Sequence, residues 1–490
     1  MEQRKLEGCR ELSDFVDIHF LIGAASGLVW YRILGRHAPL DRVFAGTRCE
    51  RRDRLGHIRR YGCCHDVATD LNSSRSPCLE ATESSPWLRK HTRDNESAVN
   101  EARVSDRRRK QLAGWIRELA DIERPSATTG EQEAAAWIVA RLCDAGVEAR
   151  IETERANGTH LPFLLPSLVA LLAGLASRRR RAASAAGLAT LAIVDELEGG
   201  RRILRRALAH RRTHNVVAEL GGAGPTLLFV AHHDVARPWA APIGALVSAP
   251  PLPLLKGRPA PMVAALIYGP LLVFAGIASG HQPLKRAGLA LCASVVLLLA
   301  DISRRRPVPG ANDNASGVAA VIGLAHDLIH GQPPRSVRVV LLSTGSEETM
   351  VEGMDAFLRR HGADLDPART LVVCLDQIGW EHLVLRESEG VLRRYRSRDE
   401  DLDLVLDAAR CAGVALRVAE PFPTPSDGLA ARWRGMPTIF LGSVAANGGY
   451  PHYHRPTDLS EHVDLDSVSG ARAICLQLVE QLDAPAGQGV

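Results

Sequence analysis

No two cysteines in this chain stand in a CxxC spacing, and that absence removes the commonest structural zinc modules and dithiol redox motifs. Ten cysteines are present, five of them in the first 78 residues. The nearest approach to a metal cluster there is Cys63, Cys64 and His65, flanked by Cys49 and Cys78, and those gaps fit no common zinc module. The others lie in apolar stretches such as LALCASVV and LVVCLD, the setting of reduced, buried thiols and not of a disulfide framework. A large charge of one sign is also lacking. The formal net charge is +4 over 490 residues and the basic residues fall in separate clusters, so no nucleic-acid partner is expected. Nor does the start read as a secretory signal, because the apolar stretch FLIGAASGLVW is short and follows Glu2, Glu7, Glu11, Asp14 and Asp17.

The length leaves room for a catalytic domain of about 250 to 300 residues and further material besides. Residues 1–105 are rich in Arg, Ser and Asp with little periodicity and are expected to be a poorly ordered extension. Residues 106–490 change character. QLAGWIRELADI and GEQEAAAWIVARLCDAG carry apolar residues at helical spacing, the second ending at Gly146 as a helix should, and VEARIETE follows as a strand. After these, HNVVAEL, TLLFVAHHD, RVVLLSTGSEE, TLVVCLDQ, VALRVAE and PTIFLG read as strands. Helical patterns alternate with them over about 316–330, 354–361, 402–412 and 466–482. Such alternation predicts an α/β domain with a largely buried sheet and functional groups at the strand ends.

Two interruptions, at about 160–200 and 238–303, break the pattern. Each contains a pair of apolar runs joined by a short basic loop, 161–177 with 182–194 and 259–280 with 287–300, preceded in the second case by an apolar, Pro-rich loop at 238–255. Both pairs predict hydrophobic helical hairpins. Only the 259–280 run reaches the length of about 20 residues that spans a bilayer, the second arms being 13 and 14 residues. So much apolar surface predicts membrane association through the hairpins, the alternative being a cytoplasmic enzyme with buried or dimer-forming hairpins. Basic residues flank both ends of each hairpin, so charge does not set an orientation.

Five stations carry chemistry. His232-His233-Asp234 follows the strand TLLFV; an imidazole there can bind a metal while the Asp holds its other ring nitrogen. Gly310 to Gly317, GANDNASG, opens a helix and would serve equally as an N-cap, but it sets Asp313 among small residues with room to bridge two cations. Glu347 and Glu348 end RVVLLSTG; neighbouring carboxylates repel unless one is metal-bound and the other exchanges a proton, and in extended chain they point to opposite sides. Asp376 ends LVVCL, where it is as compatible with a turn. The loop GYPHYHRPTD holds His454, with His452 as a competing ligand, and Asp458.

Taken together, AHHD, GANDNASG, SEETMVEGMDAF, LDQIG and YHRPTD resemble the co-catalytic zinc aminopeptidases of the aminopeptidase Y and glutamate carboxypeptidase type over roughly 108–485, hairpins excluded. The resemblance implies a three-layer α/β/α sandwich with a mixed, mostly parallel central sheet. It also implies two Zn2+ ions, His232 and Asp376 on one, Glu348 and His454 on the other, and Asp313 between them. Glu347 becomes the general base, Asp234 the residue orienting His232, and the Asp313–Asn314 peptide is expected to be cis. The implied function is a metallopeptidase acting on peptide or amino-acyl substrates, foremost an aminopeptidase. A catalytically inactive membrane scaffold, a carboxypeptidase, an acyl-amino-acid deacylase and a one-zinc glutaminyl cyclase-like relative are the alternatives. Arg432, Arg434 and Arg455 are candidates to bind a substrate carboxylate. Two departures stand out: Arg455 follows His454 where Thr is usual, and Gly428 occupies a place often taken by His or another larger residue.

Overall fold

The computed structural model describes residues 106–176, 179–240, 243, 261–419 and 425–483. The N-terminal extension, the Cys63 cluster and most of the Pro-rich loop at 238–255 lie outside the described residues. Ten strands and twelve α-helices organise the rest. Helices α1 (106–120) and α2 (Thr129–Asp144) lead into strand β1 (Ala149–Ala156). The first hairpin follows as α3 (Leu161–Leu175) and α4 (Arg179–Leu197), with the short α5 (Ile203–Ala207) after it. Strands β2 (Arg211–Gly221) and β3 (Thr226–His232) precede the second hairpin, α6 (Pro261–Ser279) and α7 (Gln282–Arg304). Helix α8 (Ser316–His330), β4 (Arg338–Thr344), α9 (Glu352–His361), β5 (Thr370–Leu375) and β6 (His382–Arg386) come next. The chain closes with a small ribbon, β7 (Ser388–Glu389) and β8 (Tyr395–Arg396), then α10 (Asp399–Cys411), β9 (Arg417–Ala419), α11 (Asp427–Arg432), β10 (Thr438–Val444) and α12 (Leu465–Asp483).

Eight strands form one mixed sheet in the order β1-β2-β4-β3-β5-β10-β6-β9. The four central strands run parallel, and antiparallel pairs occur only at β1/β2, β2/β4 and β10/β6. The central strands are continuous apolar runs because helices cover both of their faces. Along β3, Leu227, Phe229 and Ala231 pack on one side with Ile116, Ile138, Ile322 and Leu478 of α1, α2, α8 and α12. Leu228 and Val230 pack on the other with Met354 and Phe357 of α9 and Ala430 of α11. This is the three-layer arrangement that the motifs imply. β6, whose five residues run antiparallel to β10, falls outside the segments that sequence patterning marks as strands.

The two hairpins come together as one four-helix unit with its own cores, Phe163, Ile193, Leu266, Leu291, Val295 and Leu299 in one, and Ala170, Ala186, Val273, Ile277 and Cys292 in the other. Small residues let these helices approach closely. A Cβ at Gly276 would stand 2.4 Å from Lys285 N, and one at Gly288 would stand 2.5 Å from Val273 N. The second arms are longer than their apolar runs: α4 has 19 residues and α7 has 23. Their charged ends, Arg179 to Arg181 and Asp301 to Arg304, continue the helix, since helical hydrogen bonding does not stop where hydropathy does. α6 and α7 both reach the length and mean hydropathy of a membrane span, 2.0 and 1.8. The outer face is apolar on all four helices, with Leu172, Leu188, Phe274 and Leu297 exposed.

Candidate metal centre

Register brings the strand-end residues to one edge of the sheet. His232 pairs with Thr344, the last residue of β4, and Val230 with Cys374, so the ends of β3, β4 and β5 finish side by side. His232, Glu347, Glu348 and Asp376 therefore reach the same space, and the loop after β10 delivers His454 to it. The peptide between Asp313 and Asn314 is cis.

Asp313 sits at the middle. Its Oδ1 lies 3.3 Å from His232 Nε2 and its Oδ2 lies 3.2 Å from His454 Nε2, so the two carboxylate oxygens serve opposite sides. On one side Asp376 Oδ1 is 3.6 Å from His232 Nε2; on the other Glu348 Oε2 is 3.1 Å from His454 Nε2. Two groups result, His232–Asp313–Asp376 and Asp313–Glu348–His454, each compact enough to hold one cation, and Glu347 adds a carboxylate 4.0 Å from His232 Nε2. Buried carboxylate oxygens in this cluster, Asp313 Oδ2, Glu348 Oε1 and Asp376 Oδ1, accept no hydrogen bond. Acids so arranged are costly to bury without compensating positive charge, so nitrogen and oxygen donors of this kind fit zinc. His452 stays out of the cluster, its Nδ1 2.8 Å from Thr457 Oγ1 and its ring stacked on His462.

Electrostatics mark the same place. Burial, then the charges of Glu348, Asp427 and Asp376, push the Glu347 carboxyl well above its ordinary range, outweighing the opposing pull of His232. Burial likewise raises Glu348 and Asp376. Asp313 goes the other way: burial opposes its ionisation, but the facing imidazoles of His232 and His454 overcome it. Burial would lower His454, yet Glu348 and Asp313 lift it to about 10.

A ring of buried groups fixes these side chains. Asp234 accepts from Ser126 Oγ at 2.6 Å and from the backbone N–H groups of Glu347 and Glu348 at 2.9 and 3.2 Å. His232 Nδ1 is 3.2 Å from the Asp234 carbonyl and 3.6 Å from its carboxylate, so Asp234 holds the Glu-Glu loop as well as the imidazole. Asp458 accepts from the N–H groups of Asn312 and Asp313 at 2.8 and 3.0 Å. Trp239 stacks on His454 with its Nε1 3.1 Å from Nδ1, leaving Nε2 turned to Asp313 and Glu348.

Other supports had no sequence signal strong enough to single them out. Arg124, wholly buried, donates to the carbonyls of His233, Pro309 and Gly310 and so ties the His232 strand end to the Asp313 loop. Glu131 accepts from Ser346 Oγ at 2.8 Å, from Thr213 Oγ1 at 2.9 Å and from His214 N at 3.0 Å. Arg202 and Arg205 reach in from beside α5: Arg202 donates to Met350 O at 2.6 Å and Arg205 to Thr349 O at 2.5 Å, both directly after Glu348. Arg205 also pairs with Glu196 of α4 at 2.7 Å and Glu352 of α9 at 2.8 Å.

A model of peptidase family M28 matches residues 293–479, the span that holds Asp313, Glu347, Glu348, Asp376 and His454. The matched span, rather less than half of the chain, is similar to peptidase family M28. It includes GANDNASG, SEETMVEGMDAF, LDQIG and YHRPTD and leaves AHHD outside it. No curated protein matches the chain by sequence. Solved structures with a similar arrangement include an aminopeptidase from Aneurinibacillus sp. strain AM-1, at 14% identity over 76% of this chain and 93% of that one, TM-score 0.44. The zinc aminopeptidase BSAP from Bacillus subtilis has 13% identity over 76% and 95%, TM-score 0.45. A glutaminyl cyclase from Bacteroides thetaiotaomicron has 14% over 76% and 97%, TM-score 0.43.

The arginines considered for a substrate carboxylate are otherwise engaged. Buried Arg432 donates to Tyr395 O, Ser397 Oγ and Thr438 O and pairs with Glu389 at 3.4 Å; Arg434 pairs with Asp355 at 2.7 Å; Arg455 reaches Pro451 O at 3.4 Å. None of them lines the cavity beside the cluster. At Gly428 a Cβ would stand 3.0 Å from Thr438 Cγ2 and 3.2 Å from Glu389 Oε2, so a larger residue there would have to displace these side chains. Its neighbour Asp427 accepts from Thr344 Oγ1 at 2.5 Å, and burial, then Asp234 and Asp376, raise its carboxyl to about 7.

Proposed function

We propose that this domain is an exopeptidase of the aminopeptidase kind, with His232, Asp313 and Asp376 holding one zinc ion and Asp313, Glu348 and His454 a second. The split of the two Asp313 oxygens between His232 and His454 supports this reading most directly. When bound, such ions polarise the scissile carbonyl and acidify a water. Glu347 is the general base: it reaches the cluster, and its raised affinity for a proton suits a group that removes one from water and returns it to the leaving nitrogen near neutral pH. Asp234 positions Glu347 through its backbone N–H and orients His232. A scaffold without activity accounts less well for the cluster, since all seven residues are present and converge.

The test is a chromogenic panel of amino-acyl amides and carboxy-terminal dipeptides, run with the protein before and after chelation and with Glu347→Ala. Release from the amino-acyl amides that chelation abolishes is expected. Cleavage of carboxy-terminal dipeptides alone ends the aminopeptidase assignment, full activity in Glu347→Ala removes the base, and a metal content of one ion per chain turns the reading toward the cyclase type.

The exposed leucines of the four-helix unit and the span length of α6 and α7 support membrane association. Retention of the chain in the membrane pellet after alkaline carbonate washing checks it; release into the supernatant contradicts it.

A further inference from the structure

The cavity beside the cluster, about 570 Å³, has two unlike walls. One is the polar centre with His232, Asp313, Glu347, Glu348, Asp376 and His454. The other comes from the inserted helices: Phe163 and Leu164 of α3, Met262 and Leu266 of α6, and Leu299 and Ile302 of α7. Among the described residues that line it, every carboxylate belongs to the cluster. The arginines that line it are Arg211, Arg237 and Arg304, the last at the end of α7, and Arg211 and Arg304 are exposed.

We infer that the hairpins form the specificity pocket of the enzyme and select amides whose carbonyl side carries a long apolar group. The inference rests on the aminopeptidase-type reading, in which the terminal, carbonyl-side group is enclosed and the leaving side extends outward. A wall of Phe, Leu, Ile and Met gains by taking apolar surface out of water and offers a charged terminal group no partner of its own. The exposed arginines suit a carboxylate on the leaving side. Two sources have this chemistry, an N-acyl amino acid and a short peptide with a large apolar first residue. In either, water adds across the amide: the C–N bond breaks, a C–O bond forms, and a proton passes from the water through Glu347 to the departing nitrogen, giving a carboxylic acid and an amine. Nothing is oxidised or reduced.

The experiment compares kcat/KM of the metal-loaded protein on N-acetyl-, N-butanoyl- and N-octanoyl-glycine, with Leu-Gly and Phe-Gly as the free-amine arm. A rise of about fourfold per methylene is expected, the equivalent of about 0.8 kcal/mol, reaching at least roughly 100-fold from acetyl to octanoyl. Leu164→Trp and Met262→Trp, half-buried positions on the cavity wall, are expected to cut the octanoyl-to-acetyl ratio at least about tenfold, whereas Leu172→Trp on the outer face of α3 leaves that ratio alone. Higher rates on Phe-Gly than on octanoyl-glycine would assign the pocket to a peptide side chain. An octanoyl-to-acetyl ratio near one, with Glu347-dependent hydrolysis intact, overturns the inference and leaves the hydrolase reading standing. If nothing is cleaved, the hydrolase reading fails, and calorimetric binding to Glu347→Ala decides the pocket: octanoyl-glycine bound at least about 30-fold tighter than acetyl-glycine supports it, and equal binding sinks it.

Discussion

The polar wall and the apolar wall of one cavity follow opposite rules. On the strand-end side, six residues of fixed chemical type converge on one space, and exchanging any one removes a donor or acceptor that nothing else replaces. On the hairpin side, Leu, Ile, Met and Phe pack by shape, and many combinations of similar volume would serve. A catalytic centre is therefore specified atom by atom, and a specificity pocket is specified by volume and hydrophobicity.

The sharpest way to break the contrast is Glu347→Ala. Loss of a positioned general base is expected to lower kcat by about 10² to 10⁴-fold, with the zinc content measured by atomic spectroscopy holding at the wild-type value. Loss of metal together with activity would make Glu347 a ligand and blur the distinction between holding and reacting. Next in size is Arg205→Met, at the seam between the walls. It removes the buried guanidinium shared by Glu196 and Glu352, leaving Glu196 only the more distant Arg202, a change expected to cost about 3 to 5 kcal/mol in denaturant unfolding. If stability is unaltered, the hairpin is joined to the catalytic layer by apolar contact alone. Gly276→Leu on the hairpin side meets the Lys285 backbone and is expected to cost about 1 to 3 kcal/mol by overpacking, without altering zinc content. A matching loss of zinc would show that the two walls share one folding unit.

The smallest effect belongs to a surface far from both. Glu219 lies between Arg338 and Arg150, at 2.7 and 3.2 Å. Burial raises its carboxyl, but these two guanidinium groups together outweigh that and lower it. A depressed folded pKa stabilises the protein above the unfolded value of 4.5 and ceases to do so as pH falls through the folded value. Glu219→Gln is thus expected to cost less than about 1 kcal/mol at pH 7, and the gap from wild type should close as unfolding is repeated below pH 4.5. A gap that widens in acid would reverse the sign of the ion-pair contribution.

How much of this was legible depended on whether a residue's environment could be inferred from its neighbours in sequence. His232, Glu347 and Asp376 were legible together and not singly: each follows a buried strand, where a turn or cap would serve as well, and their order with Asp313 and His454 carries the weight. The α/β layering was legible from strand runs alternating with helical spacing. Arg124 and Glu131 were not, since a buried arginine or glutamate looks in one dimension like any solvated charge; only the fold brings five carbonyl acceptors to the one and a ring of donors to the other. β6 was passed over because HLVLR is short and follows directly on a motif. The second hairpin arms were underestimated because hydropathy measures where a helix meets apolar surroundings and not where its hydrogen bonds end.

The contact of Arg202 and Arg205 with the carbonyls after Glu348 bears on how the molecule can be taken apart. Hairpins that look like a detachable cassette suggest trimming them to obtain a smaller, more tractable protein. Excising 161–208 would strip Glu352 and Asp355 of buried counter-charges supplied by Arg205 and Arg202 and free the Thr349 and Met350 carbonyls. A workable truncation has to cut inside the hairpin and keep Glu196, Arg202 and Arg205 in place, so the boundary of the insertion in space is not its boundary in sequence.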